Sequence, residues 1–166
     1  LVAPGGQHAD AEAEFGRISR ACGNCLTIAK PEDTVTGRRV PTPTRVWNVL
    51  AVQRGTTDPN RVIILSGHID SRVTDVMDFT EDAPGANDDG SGTALVIEAA
   101  RVLSKHRFPA TIVYAVLSGE EQGLLGGVGV LEHGRVVGRL DHVADGRERG
   151  RPGLRAQVVV GELGDR

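Results

Sequence analysis

The side chains most able to do chemistry lie at three places in the middle of the chain. They are His68, the pair Asp88 and Asp89, and the pair Glu120 and Glu121. One imidazole with several carboxylates forms a site that suits zinc, manganese or cobalt better than the metals that prefer thiolates. A lone histidine or a lone pair of glutamates is more often structural or solvated, so this prediction depends on the fold bringing the three places together.

The elements around these residues predict one β-α-β unit. Residues 62–65 and 111–117 are apolar runs of the kind found in buried strands, and residues 91–106 carry apolar side chains at helical spacing. Asp89 or Ser91 can cap that helix. Ligands bind beyond the carboxyl ends of the strands in an open α/β sheet. The topology therefore predicts that the ionisable residues converge on one edge of the sheet.

Two short spacings near the strand ends also fit a metal site. Asp70 follows His68 by two positions, where a carboxylate can orient a ligating imidazole. On a turning backbone the adjacent side chains of Glu120 and Glu121 diverge, so that one can bind metal while the other faces the substrate water. These spacings favour a hydrolytic metal site.

The preceding segments are predicted to complete the sheet. Residues 9–21 have helical spacing, and residues 31–44, rich in threonine and proline, favour a loop or an irregular edge. Residues 45–52 favour a strand and residues 55–60 favour a turn. With the strand at residues 62–65, this arrangement predicts a hairpin that leads into the sheet.

A long acidic segment separates the first strand from the glycine-rich loop. Residues 71–84 include four acidic side chains, Asp75, Asp78, Glu81 and Asp82. We favour a solvated acidic loop over a metal role, and residues 88–90 do not match the spacing of a calcium-binding EF-hand.

The composition is that of a soluble globular protein, with 39% apolar and 25% charged residues among 166, and the length predicts one domain. A net charge of −3 leaves no basic surface for nucleic acid, and no apolar run is long enough to span a membrane. The chain begins at Leu1, so we expect a processed form or a fragment. Cys22 and Cys25 leave two alternatives open, a local disulfide in an exported protein or a reduced pair.

Three motifs resemble those of a known enzyme family. The segments His-Ile-Asp at 68–70, Gly-Ala-Asn-Asp-Asp-Gly-Ser-Gly at 85–92 and Ser-Gly-Glu-Glu-Gln-Gly-Leu at 118–124 are similar to the upstream motifs of the co-catalytic di-zinc aminopeptidases, metallopeptidase family twenty-eight. Residues 46–126 resemble its secreted bacterial branch. The resemblance implies an α/β fold, a three-layer αβα sandwich of zinc-peptidase type with a mostly parallel sheet. It also implies a monomer, secreted or periplasmic, acting on peptides with a free N-terminus.

The resemblance assigns a role to each site residue. His68 would bind one zinc and Glu121 the other, Asp88 would bridge both, and Asp70 would hold the His68 ring. Two such ions, about 3.5–4 Å apart, could polarise the scissile carbonyl and lower the pKa of a shared water. Glu120 would be the general base that takes the proton of this water and passes it to the leaving amine.

The last forty residues depart from this family. It completes its site with a further aspartate and a distant histidine, and neither is recognisable here; the nearest substitutes, Asp141, His142 and Asp145, lie in a different context. From residue 119 onward the chain uses only residue types whose codons can begin with G or C. We hypothesise a frameshift shortly after Gly126, the alternative being a natural low-diversity, disordered tail.

These observations predict a catalytic-domain fragment at residues 1–126 and an atypical, irregular tail at residues 127–166. The favoured function is a zinc-dependent exopeptidase of aminopeptidase type whose active site is incomplete in this chain. The alternative is a catalytically inactive metal-binding or interaction fragment of the same fold. A nucleotide-binding domain is disfavoured because neither glycine-rich phosphate-binding motif follows any strand.

Overall fold

The computed structural model describes Arg17, Ile18, Arg20 and Ala21, residues 26–126 and residues 155–160. For residues 26–34 and 155–160 it describes the backbone. The described residues form a mixed α/β fold in which a five-stranded sheet carries a helix on one face.

The sheet has both parallel and antiparallel pairings. Its elements are β1 (Leu26–Gly37), β2 (Val40–Gln53), β3 (Asp58–His68), the helix α1 (Ser91–Leu103), β4 (Ala110–Leu117) and β5 (Arg155–Val160). The strand order is β1-β2-β4-β3-β5. β2 is antiparallel to β1 and β4, whereas β3 is parallel to β4 and β5.

The predicted β-α-β unit is confirmed. β3 and β4 are parallel neighbours joined through α1, and their register ends with His68 opposite Leu117. The chain therefore leaves both strands at the same edge of the sheet, which brings the segments after His68 and after Leu117 together. Helix α1 ends at Leu103, three residues before the predicted end, and a turn follows in which the His106 N–H donates to the Leu103 carbonyl.

The predicted hairpin between β2 and β3 is wrong, because β4 lies between these two strands. The connection instead runs beside the residues that precede β4, where the Thr56 N–H donates to the Phe108 carbonyl at 2.9 Å. Gly55 makes this crossing possible, since a Cβ there would lie 2.3 Å from the Pro109 carbonyl oxygen. The almost wholly apolar sequence of β4 suits the central position, which is buried on both faces.

Residues 31–44 form regular structure rather than a loop. They belong to β1 and the start of β2, which pair as an antiparallel hairpin with a turn at Arg38 and Arg39. The prediction of an irregular edge is confirmed, since the register shifts between Pro31 and Thr34 and β1 is an edge strand. A proline is tolerated there because an edge strand has backbone positions that need no partner.

The core lies on both faces of the sheet. The face that α1 covers holds a buried cluster comprising Ile18, Val49, Ala51, Val96, Ala100, Ile112, Tyr114 and Val116. The opposite face holds a second buried cluster, Leu50, Val62, Ile64, Val113 and Ala115. Side chains of β4 alternate between the two clusters, as the period of a strand requires. Burying one valine or isoleucine contributes about 1.5–3 kcal/mol, so β4 is held firmly from both sides.

Some predictions fall wholly or partly outside the described residues. Of the helix predicted at residues 9–21, Arg17, Ile18, Arg20 and Ala21 are described and are helical. Cys22 and Cys25 lie outside the described residues. Across the part of the chain that the structure describes, no helix has the length and apolar character needed to cross a bilayer.

Part of the segment predicted to be an irregular tail is a regular strand. β5 pairs in parallel with β3, from Arg61 opposite Arg155 to Ser66 opposite Val160. The rest of residues 127–166 lies outside the described residues, so the division of the chain at residue 126 stays a prediction.

Candidate active site

His68, the last residue of β3, is held at its backbone and at its ring. Its N–H donates to Asp89 Oδ2 at 2.9 Å, and its carbonyl accepts the Thr93 hydroxyl at 2.8 Å. The ring Nδ1 lies 2.9 Å from the Asp70 carbonyl oxygen. Since a carbonyl can only accept, the hydrogen of the neutral ring is on Nδ1, and Nε2 keeps its lone pair. The fold therefore presents Nε2 as a potential ligand.

The carboxylate of Asp70 acts mainly on the neighbouring loop. Its Oδ1 lies 3.7 Å from His68 Nδ1, so the backbone carbonyl of Asp70, rather than its side chain, makes the close contact with the ring. The two carboxylate oxygens instead accept the backbone N–H groups of Glu120, at 3.3 Å, and Glu121, at 3.0 Å. The Asp70 side chain is only 4% exposed, so these bonds between the segment after β3 and the segment after β4 lie inside the protein.

Two carboxylates face the free nitrogen of His68. Asp88 Oδ1 lies 3.2 Å from Nε2, and Glu120 Oε2 lies 3.8 Å from it. A lone pair and a carboxylate oxygen this close need a proton or a cation between them. Two ligands of a tetrahedral zinc, with bonds of about 2.0–2.2 Å, lie about 3.3 Å apart. The His68–Asp88 distance therefore fits one shared cation.

The glycine-rich loop delivers Asp88 and uses Asp89 as a structural clamp. Asp89 Oδ1 accepts the Gly92 N–H at 2.8 Å at the start of α1, while Oδ2 accepts the His68 N–H. Asp89 thus accepts an N–H of the first turn although the N-cap residue is Gly90, whereas the Ser91 hydroxyl donates to the Asn87 carbonyl. A Cβ at Gly92 would lie 2.2 Å from Asp89 Oδ1, so the clamp needs glycine there. The Asp88 side chain, 77% exposed, stays open to solvent.

The loop after β4 is closed by a buried amide. Asn48 Oδ1 accepts the Ser118 N–H at 3.1 Å, and Asn48 Nδ2 donates to the Gly126 carbonyl at 3.0 Å. Gly119 has a positive φ of 72°, which turns the chain immediately before Glu120. Asn48 was not predicted to belong to the site, although a polar residue inside an apolar strand was a signal for it.

Glu121 is bound to an arginine. Its side chain is 8% exposed, and Oε2 accepts a hydrogen bond of 2.6 Å from Arg72 Nε. Its backbone carbonyl accepts a weaker bond of 3.4 Å from Arg39 Nη1. Neither arginine was singled out from the sequence, because a lone arginine in a loop or turn has no spacing signal.

The structure thus brings His68, Asp88 and Glu120 together and places Glu121 on the adjoining turn of the loop. Among the described side chains, no group of three or more His, Cys, Asp or Glu is gathered closely enough to hold a metal. The assignment of Glu121 as a ligand stays a prediction.

The electrostatics of the site shift two pKa values upward. Burial lowers the pKa of His68, but the Asp70 charge and carbonyl, with Glu120 and Asp89, outweigh it and raise this pKa above its ordinary value. Burial also raises the pKa of Glu120; the imidazole of His68 counteracts this, and neighbouring carboxylates add to it. A carboxylate with a raised pKa and 35% side-chain exposure is suited to exchanging protons with a substrate water.

Asp75 and Asp78, in the acidic segment at residues 71–84, bond to their own loop rather than to this cluster. Asp75 Oδ1 accepts the Met77 N–H, and Asp78 Oδ1 accepts both the N–H and the hydroxyl of Thr80. The bonds from Thr80 lower the pKa of Asp78. These carboxylates organise their own loop, as expected of a solvated acidic loop.

Comparison with models of protein families matches residues 48–142 to the family described as "Peptidase family M28". The match covers more than half of the chain. This chain belongs to peptidase family M28. The family predicted from the three motifs is therefore confirmed.

The M28 chain is similar to longer proteins. It is 59% identical over 88 residues to a probable zinc metalloprotease of Leptosphaeria maculans. The matched segment covers 53% of this chain and 20% of that protein. The chain thus spans about a fifth of the length of this curated relative. Because the relative comes from a fungus, it gives no support to the predicted bacterial branch.

Solved structures show the same fold. Fimbriiglobus ruber glutaminyl cyclase superposes with a TM-score of 0.65 at 17% identity, over 96% of this chain and 54% of that one. A leucine aminopeptidase precursor from Bacteroides thetaiotaomicron gives a TM-score of 0.54 at 20% identity, over 68% of this chain and 38% of that one. At these identities the likeness concerns the fold alone.

Proposed function

We propose that this chain forms the first part of the active site of a zinc-dependent exopeptidase of the aminopeptidase type, acting on peptides with a free N-terminus. The observation that carries the proposal is the 3.2 Å approach of His68 Nε2 to Asp88 Oδ1, with Glu120 Oε2 3.8 Å from the same nitrogen. Membership of peptidase family M28 and the similarity to a probable zinc metalloprotease support it.

The side chains present fit zinc by their chemistry. His68 offers a nitrogen lone pair, Asp88 an exposed carboxylate and Glu121 a buried one, which is a donor set that zinc accepts. We expect these three residues to contribute ligands to two zinc ions that need further ligands as well, because the described side chains do not gather three such groups closely enough to hold an ion by themselves. When bound, zinc supplies a Lewis acid that polarises the scissile carbonyl and lowers the pKa of a water.

Glu120 performs the proton transfers in this proposal. Its N–H is held by Asp70 Oδ1, so the carboxylate stays on the His68 side of the loop. With its pKa raised above the ordinary value by burial, Glu120 takes the proton of the attacking water and later passes it to the leaving amine. The carbonyl of Asp70 keeps the His68 tautomer that leaves Nε2 free.

Zinc titration combined with hydrolysis of aminoacyl-nitroanilides tests the proposal. Glu120→Gln should reduce turnover at least about 100-fold while zinc still binds. The control is Glu98→Gln, an exposed residue of α1 paired with Arg101, which should leave both properties unchanged. Equal turnover in Glu120→Gln and in the parent would refute Glu120 as the base.

The same experiment distinguishes the enzyme from the alternative function. Zinc binding without hydrolysis in the parent chain would favour the catalytically inactive metal-binding fragment. Export from the cytoplasm and a monomeric state stay predictions of the family resemblance, to be tested by cell fractionation and sedimentation.

A further inference from the structure

The carboxylate of Glu121 is the most enclosed acidic group of the site after Asp70. Its side chain is 8% exposed, and a carboxylate so far removed from water requires a partner. Arg72 supplies this partner through the 2.6 Å bond from Nε to Oε2. The bond spans 49 positions of sequence, so it ties the loop after β3 to the loop after β4.

Arg72 also contacts its own loop. Its Nη1 donates weaker bonds to the carbonyls of Val73, at 3.4 Å, and Thr74, at 3.3 Å, and its side chain is 45% exposed, so the 2.6 Å bond to Glu121 is its main contact. The backbone of Glu121 is fixed separately, because its N–H donates to Asp70 Oδ2. With backbone and Oε2 both held, Oε1 is the oxygen of Glu121 that has no bond to any described residue.

We propose that Arg72 is a positioning residue that occupies Oε2 of Glu121 and leaves Oε1 as the single oxygen offered to a cation. This inference rests on the proposed zinc site. With Oε2 bonded to Arg72, Glu121 would bind a cation through Oε1 alone. A planar guanidinium anchored at two points is suited to this role, since it cannot rotate freely as an ammonium does.

The positive charge of Arg72 has the opposite effect, because it repels a cation. If repulsion were the larger effect, removing Arg72 would strengthen zinc binding. Partners that orient metal ligands typically change affinity by about 10–100-fold when removed. Arg39 separates the two effects, because it carries the same charge and contacts Glu121 through the backbone carbonyl only.

The test measures zinc affinity by competition with a chromophoric chelator. Arg72→Ala should weaken zinc binding by about 10–100-fold. Arg39→Ala, the matched loss of one positive charge, should change the affinity by less than about 3-fold. In a Glu121→Gln background the effect of Arg72→Ala should vanish, because the two residues act through one bond.

The other outcomes are equally decisive. Tighter or unchanged zinc binding in Arg72→Ala, or an effect that persists with Glu121→Gln, overturns the positioning role. A parent chain that binds no zinc refutes the proposed function itself, whereas normal binding in the parent with an unaltered Arg72→Ala variant refutes this inference alone.

A spectroscopic readout keeps the proposal testable if Arg72→Ala does not fold. Arg72→Lys keeps the charge that compensates buried Glu121 but loses the fixed guanidinium plane. With cobalt(II) as the probe, Arg72→Lys should show weaker visible bands than the parent, because a freed Oε2 raises the coordination number. Identical cobalt spectra for the two proteins overturn the proposal.

Discussion

The N–H of Glu121 donates a 3.0 Å hydrogen bond to Oδ2 of Asp70, which joins the segment after β4 to the segment after β3. The other oxygen of Asp70 accepts the N–H of Glu120, so one buried carboxylate holds two successive peptide groups. The backbone carbonyl of Asp70 meanwhile contacts His68 Nδ1. Asp70 thus sets the position of the acidic pair relative to the imidazole.

Replacing Asp70 by asparagine should destabilise the protein. The amide has one acceptor oxygen, and its NH₂ group would face a backbone N–H that needs an acceptor. Since hydrogen bonds to charged groups contribute about 1.5–3 kcal/mol each, we expect Asp70→Asn to lower the free energy of unfolding by about 2–4 kcal/mol. Urea denaturation measures this change.

The matched control is Asp75→Asn. Asp75 also accepts a backbone N–H, that of Met77, but in an exposed loop. Its substitution should change the free energy of unfolding by less than about 0.5 kcal/mol. Equal effects of the two substitutions would show that the buried link from Asp70 has no special importance.

The pKa of His68 should lie above about 6.5 in the metal-free protein. Burial opposes this, but the Asp70 charge and carbonyl, Glu120 and Asp89 together raise the pKa. Because the folded-state pKa exceeds the unfolded one, the stabilisation from His68 is fully present below about pH 6.5 and is lost as pH rises through the folded pKa. NMR titration of the ring proton measures the pKa, and urea denaturation against pH measures the stability.

Two variants test the cause of this shift. Asp70→Asn should lower the pKa of His68 by removing the largest charge that raises it. His68→Gln should remove the step in the dependence of stability on pH. A pKa of His68 at or below about 6.5 in the metal-free parent would contradict the described geometry.

The sequence predicts those features of the fold that depend on residues close together in the chain, and it fails for those that depend on residues far apart. The β-α-β unit was predictable because the periods of β3, α1 and β4 are local. The position of β4 between β2 and β3 was not predictable. A short turn-like connection normally joins neighbouring strands, and here the burial of apolar β4 at the centre of the sheet outweighs that preference. The edge hairpin of β1 was obscured by prolines that an edge strand tolerates.

The same distinction applies to the site. His68, Asp88 and Glu120 follow or precede recognisable elements, so their convergence followed from the topology. The contacts from Arg72 and Arg39 to Glu121 span 49 and 82 positions, and nothing in the local sequence announces them. That Asp70 acts on the ring through its carbonyl likewise depends on backbone geometry, which a spacing does not encode.

Removing the buried amide that closes the Glu120 loop should loosen that loop. Asn48→Ala would leave the Ser118 N–H and the Gly126 carbonyl without this partner. Unsatisfied buried groups cost about 1–3 kcal/mol each, so the free energy of unfolding should fall by about 2–4 kcal/mol. Hydrogen exchange at the Ser118 amide should also be faster in Asn48→Ala than in the parent. The control is Thr44→Ala, which removes a local bond on the exposed part of β2 and should have little effect on stability. An unchanged Ser118 exchange rate in Asn48→Ala would contradict the bond from the Ser118 N–H to Asn48.

The one tyrosine of the chain provides an optical test of the core. Tyr114 is fully buried in β4 and its hydroxyl donates to Gln53 Oε1 at 2.8 Å. Burial raises the pKa of Tyr114 from its ordinary value of 10.0 to about 12. Because the folded-state pKa is the higher one, the stabilisation is complete below about pH 10 and is lost as pH rises from about 10 towards 12.

Absorbance at the phenolate band reports Tyr114 alone, because the chain has one tyrosine. A spectrophotometric titration should give a midpoint near the raised pKa of Tyr114, and unfolding should coincide with this ionisation or precede it. Tyr114→Phe should remove the phenolate signal and weaken the alkaline loss of stability, at the cost of the bond to Gln53. If Tyr114 titrated reversibly near pH 10 with the fold intact by circular dichroism, the hydroxyl would have to be solvated, and the position of β4 at the centre of the sheet would be wrong.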